Sequence, residues 1–140
     1  MNQRPFKILS IEHVGVAVES MEGLSSIFSD VLGLESVGSE EVKDQQVITD
    51  IYKTENGKLE FLKATSKDSP IARFINKKGS GMHHIALVVD HLQPALDYLQ
   101  EKGIELIDEK PRIGAEGFSI AFIHPKSTGG ILVELCEKKK

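Results

Sequence analysis

Two short segments, His13-Val14-Gly15-Val16-Ala17-Val18 and His84-Ile85-Ala86-Leu87-Val88-Val89, decide how this sequence is organised. Each is rich in β-branched residues and predicts a strand with a histidine at its start. A second pair of similar segments, Lys58-Leu59-Glu60-Phe61-Leu62 and Leu132-Val133-Glu134-Leu135-Cys136, carries a glutamate at matching positions. The histidines are 71 residues apart and the glutamates 74, so the chain contains an internal repeat of one structural module.

The segments between these strands complete two modules of the form βαβββ. In the first module the pattern predicts a strand over 8–18, a helix from the N-cap Ser20 to Gly33, and strands near 35–42, 47–54 and 58–65. The apolar stripe of that helix consists of Leu24, Ile27, Phe28, Val31 and Leu32. The second module predicts a strand over 82–90, a helix from Leu92 that ends at Gly103, and strands over 104–108, 118–124 and 131–136.

The two modules form one α+β domain in this interpretation. The domain spans residues 1–140, with module one at about 8–66, a linker at about 67–80 and module two at about 81–137. The linker contains a short helix, because Pro70 suits the first turn of a helix.

The composition excludes several classes of protein. The chain has 140 residues, of which 40% are hydrophobic and 27% charged, as in an ordinary globular domain. Its net charge of −4 gives no electrostatic reason to expect nucleic acid or an anionic membrane as partner. A single cysteine, Cys136, excludes an internal disulfide. No apolar run approaches the roughly 18 residues of a membrane span, and no signal-peptide pattern is present, so we expect a cytoplasmic protein.

His13, Glu60, His84 and Glu134 are the candidate metal ligands. Each interrupts an otherwise apolar strand, where an unpaired carboxylate is costly to bury. If the modules pack about a pseudo-twofold axis, two imidazoles and two carboxylates can converge on one divalent cation, with Zn²⁺, Co²⁺, Ni²⁺, Mn²⁺ or Fe²⁺ suited to such mixed ligands. The alternative is that each histidine is a hydrogen-bonded core residue and each glutamate the buried partner of a basic group.

Five segments resemble the methylmalonyl-CoA epimerase family of the vicinal oxygen chelate, or glyoxalase/bleomycin-resistance, superfamily. The resemblance runs from about residue 8 to 137 and is carried by residues 11–18, 68–74, 81–86, 108–114 and 124–130. The most discriminating of these are Ser-Pro-Ile-Ala-Arg-Phe at 69–74 and His-Pro-Lys-Ser-Thr-Gly-Gly at 124–130.

The resemblance implies a vicinal oxygen chelate fold, in which two βαβββ modules form a half-barrel around a metal site. Its ligands fall on His13, Glu60, His84 and Glu134, and the ion is expected to be cobalt, with Zn²⁺, Mn²⁺ or Ni²⁺ as alternatives. The implied substrate is an acyl-CoA, and the reaction interconverts 2R and 2S methylmalonyl-CoA through a metal-stabilised enediolate and two-base proton transfer. Glu134 is one acid/base, and a homodimer is expected.

The second acid/base departs from the family pattern, because Thr49 occupies the position of its second glutamate. The adjacent Asp50 is the candidate, although neighbouring strand residues point to opposite faces, so Asp50 serves only if the register shifts by one. By the same argument His83 points away from His84. Candidate substrate-binding residues are Gln45, Gly114, Lys126 and Ser127.

Two other functions stay open at the level of sequence. A glyoxalase I-like isomerase uses similar ligands and the same proton-transfer chemistry on a hemithioacetal. A bleomycin-resistance-like protein binds its ligand without catalysis and needs no metal. A third function, that of an extradiol-type dioxygenase, is disfavoured, because its metal site would leave Glu60 as an unneeded fourth ligand.

Overall fold

The computed structural model describes residues 3–138, which divide into two compact units. One unit is formed by residues 13–83, and the other by residues 3–12 together with 84–138. The strands are β1 (Ile8–Ala17), β2 (Glu35–Val42), β3 (Val47–Thr54), β4 (Gly57–Ala64), β5 (Gly81–Val89), β6 (Arg112–Ile113), β7 (Ser119–Ile123) and β8 (Val133–Glu137). The helices are α1 (Pro70–Lys78), α2 (Leu92–Glu101), a π-helical segment (Ser26–Val31) and the 3₁₀ turns Lys43–Gln45, Ala115–Gly117 and Pro125–Ser127.

The unit of residues 13–83 is built on a sheet with the strand order β2-β3-β4-β1. Strand β1 is parallel to β4, and the other neighbours are antiparallel. The π-helical segment covers one face of this sheet through Phe28, whose ring centroid lies 4.8 Å from that of Phe61 and 6.0 Å from that of Tyr52. The other face is therefore left for His13 and Glu60.

The second unit repeats this arrangement with the strand order β5-β8-β7-β6. Strand β5 is parallel to β8, and the remaining pairs are antiparallel. Helix α2 buries Leu92, Ala95 and Leu96 against a face that includes Ala121 and Leu135. The predicted α+β architecture of two βαβββ modules is thus confirmed.

The first helix is shorter than the sequence predicts. Gly23 adopts a φ of +82°, and the Ser20 hydroxyl accepts a hydrogen bond from the Glu22 N–H at 3.0 Å, so Ser20 closes a local turn instead of capping a helix. The Leu32 N–H donates to the Ile27 carbonyl five residues back, which is the π-helical pattern. Widening the turn rotates the predicted stripe, and Ile27, Val31 and Leu32 are exposed.

The predicted strand over 104–108 is also wrong. Leu106 forms only an isolated bridge to Ile123, and the strand that pairs with β7 is β6 instead. The reason is local, because the Asp108 carboxylate accepts the Phe122 N–H at 2.9 Å. In a regular ladder that N–H would donate to a backbone carbonyl of the neighbouring strand, so the side chain replaces the ladder hydrogen bond.

Helix α1 begins as predicted in the linker. The Ser69 hydroxyl accepts the Ile71 N–H at 3.1 Å, and Pro70 occupies the first turn. No helix formed by residues 3–138 combines the length and the apolar character that a membrane crossing requires.

Candidate active site

His13 and Glu60 form a buried pair in the unit of residues 13–83. Gly15 lies opposite Glu60 in the parallel β1–β4 ladder, so His13, two residues before Gly15, lies on the same face as Glu60. The imidazole Nδ1 is 3.2 Å from a Glu60 carboxylate oxygen, and each side chain is only 5% exposed.

His84 and Glu134 form the corresponding pair in the other unit. Ala86 lies opposite Glu134 in the parallel β5–β8 ladder, which places His84 on Glu134's face of the sheet. The imidazole Nε2 is 3.1 Å from a Glu134 carboxylate oxygen, and both side chains are buried.

The two pairs share one chemistry and one position in their modules. In each unit the helix covers one face of the sheet and the His–Glu pair lies on the other. Each pair offers one imidazole nitrogen and one carboxylate oxygen, a donor set that suits borderline divalent metals. The residues present therefore fit the metal that the resemblance implies.

Phe122 and Arg112, which the sequence argument did not single out, accompany the His84–Glu134 pair. Phe122 lies opposite Glu134 in the β7–β8 ladder, and its ring meets the His84 ring edge-on at 5.8 Å. The Arg112 guanidinium carbon lies 5.5 Å from the centroid of the same ring. Arg112 stands inside the quoted 108–114 segment, so a cation within a family-like motif was the signal that could have revealed it.

Asp50 does not lie with Glu60. The β3–β4 register is continuous from Val47 to Thr54 and places Asp50 opposite Phe61, on the face away from Glu60. Asp50 there accepts a hydrogen bond from the Ser39 hydroxyl. The register shift that Asp50 would need as second acid/base is absent from this ladder, so we correct that assignment.

Thr49 and Glu40 share the face of Glu60. Thr49 is buried, and it lies opposite Leu62, two residues from Glu60 on the same face. In the antiparallel β2–β3 ladder Glu40 is directly opposite Thr49. The Glu40 carboxylate therefore lies on the strand next to Thr49, the position at which the family has its second glutamate.

Lys126 and Ser127 form a turn that is fixed to the rest of its unit. The Lys126 N–H donates to His124 Nδ1 at 3.0 Å, and the Ser127 hydroxyl accepts the Glu105 N–H at 2.9 Å. The Lys126 side chain is exposed. Their role as substrate contacts stays a prediction.

Gly114 and Gln45 also have structural partners. A Cβ on Gly114 would lie 2.7 Å from Cδ1 of Ile120, so any larger residue here would require the Ile120 side chain to shift. The Gln45 carbonyl is 3.5 Å from the Ser69 hydroxyl, which links the turn before β3 to the start of α1. Whether either residue contacts substrate stays a prediction.

Two acids with shifted pKa values lie outside the His–Glu pairs. Burial raises the pKa of the Tyr52 phenol, and the nearby Asp50 charge adds to that rise. The Lys7 N–H donates to the Asp90 carboxylate at 2.7 Å and lowers the pKa of Asp90.

Comparison with known proteins identifies the family. Residues 12–122 match the family model of the glyoxalase/bleomycin resistance protein/dioxygenase superfamily. The mitochondrial methylmalonyl-CoA epimerase of Mus musculus is 37% identical over 131 residues, which cover 93% of this chain and 74% of that protein.

Solved structures give the same result. The crystal structure of methylmalonyl-CoA epimerase from Mycobacterium tuberculosis has a TM-score of 0.90 and 30% identity, covering 95% of this chain and 90% of that chain. A methylmalonyl-CoA epimerase in complex with methylmalonyl-CoA and NH₄⁺ has a TM-score of 0.88 and 27% identity, covering 94% of this chain and 96% of that chain. The chain therefore belongs to the glyoxalase/bleomycin resistance protein/dioxygenase superfamily and, within it, to the methylmalonyl-CoA epimerase family.

Proposed function

We propose that this chain is a methylmalonyl-CoA epimerase, an isomerase that interconverts the 2R and 2S forms of its acyl-CoA substrate. The observation that carries the proposal is the repeated His–Glu pair, buried at the same position of both modules in a chain of this family. The recurrence of a buried histidine beside a buried carboxylate in both modules supports a shared role for the four side chains.

His13, Glu60, His84 and Glu134 together are the proposed ligands of one divalent metal. Cobalt is the expected ion, and Zn²⁺, Mn²⁺ and Ni²⁺ are the alternatives. When bound, the metal supplies positive charge that stabilises the negative charge developing on the substrate oxygens as the C2 proton leaves. The exclusion of water from these buried side chains strengthens that electrostatic effect.

Inversion at C2 needs a proton acceptor on one side of the carbon and a donor on the other. Glu134 is proposed for one role: its carboxylate accepts the C2 proton, and the C–H electron pair delocalises onto the thioester oxygen. For the second role the β2–β3 register supports Glu40 in place of Asp50, because Glu40 faces Thr49 on the side of the sheet that carries Glu60. A proton from that second acid to C2 then completes the inversion, and no electrons are lost or gained.

The Glu40 assignment is tested by comparing Glu40→Gln with Glu41→Gln. Glu41 is exposed and lies on the opposite face of β2, so its substitution controls for the lost charge. We expect E40Q to slow epimerisation by about 100-fold or more, while one epimer still exchanges its C2 proton with solvent through Glu134. Equal rates in the two variants would remove Glu40 from the mechanism.

The function itself is tested by deuterium incorporation at C2 of methylmalonyl-CoA in D₂O, with protein stripped of metal and then reloaded with Co²⁺. We expect metal-dependent exchange together with conversion of one epimer into the other. Exchange no faster than with Co²⁺ alone would overturn the proposal. The hemithioacetal of methylglyoxal and glutathione serves as the comparison substrate, because its turnover would indicate a glyoxalase I-like isomerase.

The homodimer is supported by apolar side chains on the π-helical segment. Ile27, Val31 and Leu32 are exposed there, and an exposed apolar cluster of this kind is typical of a surface that another molecule covers. Light scattering of the purified protein tests this assembly. The single-domain organisation, the cytoplasmic location and the substrate contacts of Gln45, Gly114, Lys126 and Ser127 stay predictions.

A further inference from the structure

Arg112 places a guanidinium on the same face of its sheet as His84 and Glu134. In the β6–β7 ladder Arg112 lies opposite Ile120, and Ile120 in turn lies opposite Cys136 on β8. Cys136 is two residues from Glu134 and shares its face, because side chains of a strand alternate with a period of two. The register alone thus brings a permanent cation to the face of the His84–Glu134 pair.

The ring of Phe122 links that cation to the pair. The guanidinium carbon of Arg112 is 5.5 Å from the Phe122 centroid, and the His84 ring is 5.8 Å from the same centroid. The guanidinium and the imidazole are therefore no more than about 11 Å apart. Arg112 and His84 therefore both contact the ring of Phe122, on the face of the sheet that carries Glu134.

Arg112 is held in place, but its hydrogen-bonding capacity is not used up. Asp108 lies 3.3 Å from Arg112 Nε while its other carboxylate oxygen accepts the Phe122 N–H. Even so, Nε is buried and makes no hydrogen bond of acceptable geometry within residues 3–138. The ion pair with Asp108 therefore compensates the burial of this N–H only in part, because a buried donor without a hydrogen bond is costly. A guanidinium is also the side chain best matched to a carboxylate, which it binds through two parallel hydrogen bonds.

We propose that Arg112 binds the free carboxylate of the acyl-CoA substrate and so selects malonyl-type thioesters over simple acyl thioesters. This inference rests on the proposed epimerase function and adds the residue that recognises the acid group. No bond is broken in this role: Arg112 keeps its proton and holds the carboxylate while C2 is deprotonated by another group. The competing interpretation is structural, with Arg112 serving only to hold the 108–112 segment against β7 through Asp108.

The experiment compares binding of methylmalonyl-CoA and propionyl-CoA, two thioesters that differ by the carboxylate, to the Co²⁺-loaded protein. The variants are Arg112→Met, Arg112→Lys and the control Lys110→Met, which removes an exposed cation two residues away. We expect R112M to weaken methylmalonyl-CoA binding by about 10- to 100-fold, the value of a hydrogen bond to a charged group. Propionyl-CoA binding should change by less than about twofold, and K110M should leave both unchanged.

A structural role predicts a different result, namely equal weakening of both ligands, and that outcome would overturn the proposal. Unchanged binding of both ligands would overturn it as well. R112K keeps the charge but loses the planar fork, so it should retain part of the preference, and it carries the comparison if R112M does not fold. If wild-type protein epimerises methylmalonyl-CoA while R112M still binds methylmalonyl-CoA more tightly than propionyl-CoA by the wild-type factor, only the Arg112 proposal fails. If wild-type protein shows neither exchange nor preference, the proposed function fails.

Discussion

Replacing His84 and His83 separately by alanine tests the metal site with a matched pair of neighbouring residues. His84 is buried beside Glu134 at 3.1 Å, whereas the His83 ring packs edge-on against Phe74 at a centroid distance of 5.0 Å. Without metal, His84→Ala loses a hydrogen bond to a charged group, worth about 1.5–3 kcal/mol. His83→Ala loses an aromatic contact worth about 0.5–1.5 kcal/mol. The metal-free variants should therefore differ modestly in free energy of unfolding.

The decisive difference appears on adding metal. A ligand present at about 100 times its Kd stabilises the folded state by about 2.7 kcal/mol, which for a domain of this size raises Tm by about 10 °C. Because His84 is a proposed ligand and His83 is not, wild type and H83A should show this rise with Co²⁺, and H84A should lose most of it. Calorimetric scans of EDTA-stripped and Co²⁺-loaded protein measure the shift, and bound cobalt is counted in the same samples. Equal shifts in H83A and H84A would refute the ligand assignment.

Three further substitutions test local features of the structure. Ser69→Ala removes the N-cap of α1 and should lower the free energy of unfolding by about 1 kcal/mol, measured by urea titration. Gly114→Ala brings a Cβ within 2.7 Å of Ile120 Cδ1 and should cost about 1–3 kcal/mol in the same assay. Asp90 has a pKa below its ordinary 3.8 because Lys7 donates a backbone hydrogen bond to it, so its ionised form stabilises the fold above that pH and the effect is lost as the pH falls through the lowered pKa. Wild-type protein should therefore have a higher Tm than Asp90→Asn near neutral pH, and this difference should disappear at a pH below the lowered pKa of Asp90. A difference in Tm that does not change with pH would contradict this.

The sequence was sufficient where one local signal determines one element. The repeat of strands with a histidine or a glutamate singled out His13, Glu60, His84 and Glu134, and all four are buried. Alternation assigns each side chain to one face of its strand before any neighbour is known. The N-cap Ser69 with Pro70 predicted the start of α1 in the same way. The prediction of the first helix was wrong because its apolar stripe assumed a regular α-helical turn. Gly23 has a φ of +82°, and with the wider π turn Ile27, Val31 and Leu32 are exposed while Phe28 stays on the sheet.

What the sequence could not supply is the register between strands. Periodicity places Asp50 and Thr49 on opposite faces but does not say which of them shares the face of Glu60, and only the ladder to β4 assigns that face to Thr49. Strand β2, next along, then contributes Glu40 to the same face. A carboxylate can therefore be missing from the expected strand and still be present on the expected face, because a sheet offers each position a cross-strand neighbour about 5 Å away.

Arg112 likewise reaches the face of Glu134 through strand register and not through a local motif. The family-like segment 108–114 contains Arg112 but does not by itself place it in a sheet, and the predicted strand over 104–108 would have left residue 112 outside the sheet. The Asp108 carboxylate accepts the Phe122 N–H, and the residues that pair regularly with β7 are Arg112 and Ile113. This register places Arg112 on the face of the sheet that carries Glu134. The irregular pairing of residues 104–108 with β7 is thus linked to the role proposed for Arg112. If a regular strand over 104–108 used the Phe122 N–H, Arg112 would lie at a different position along β7, away from the ring of Phe122.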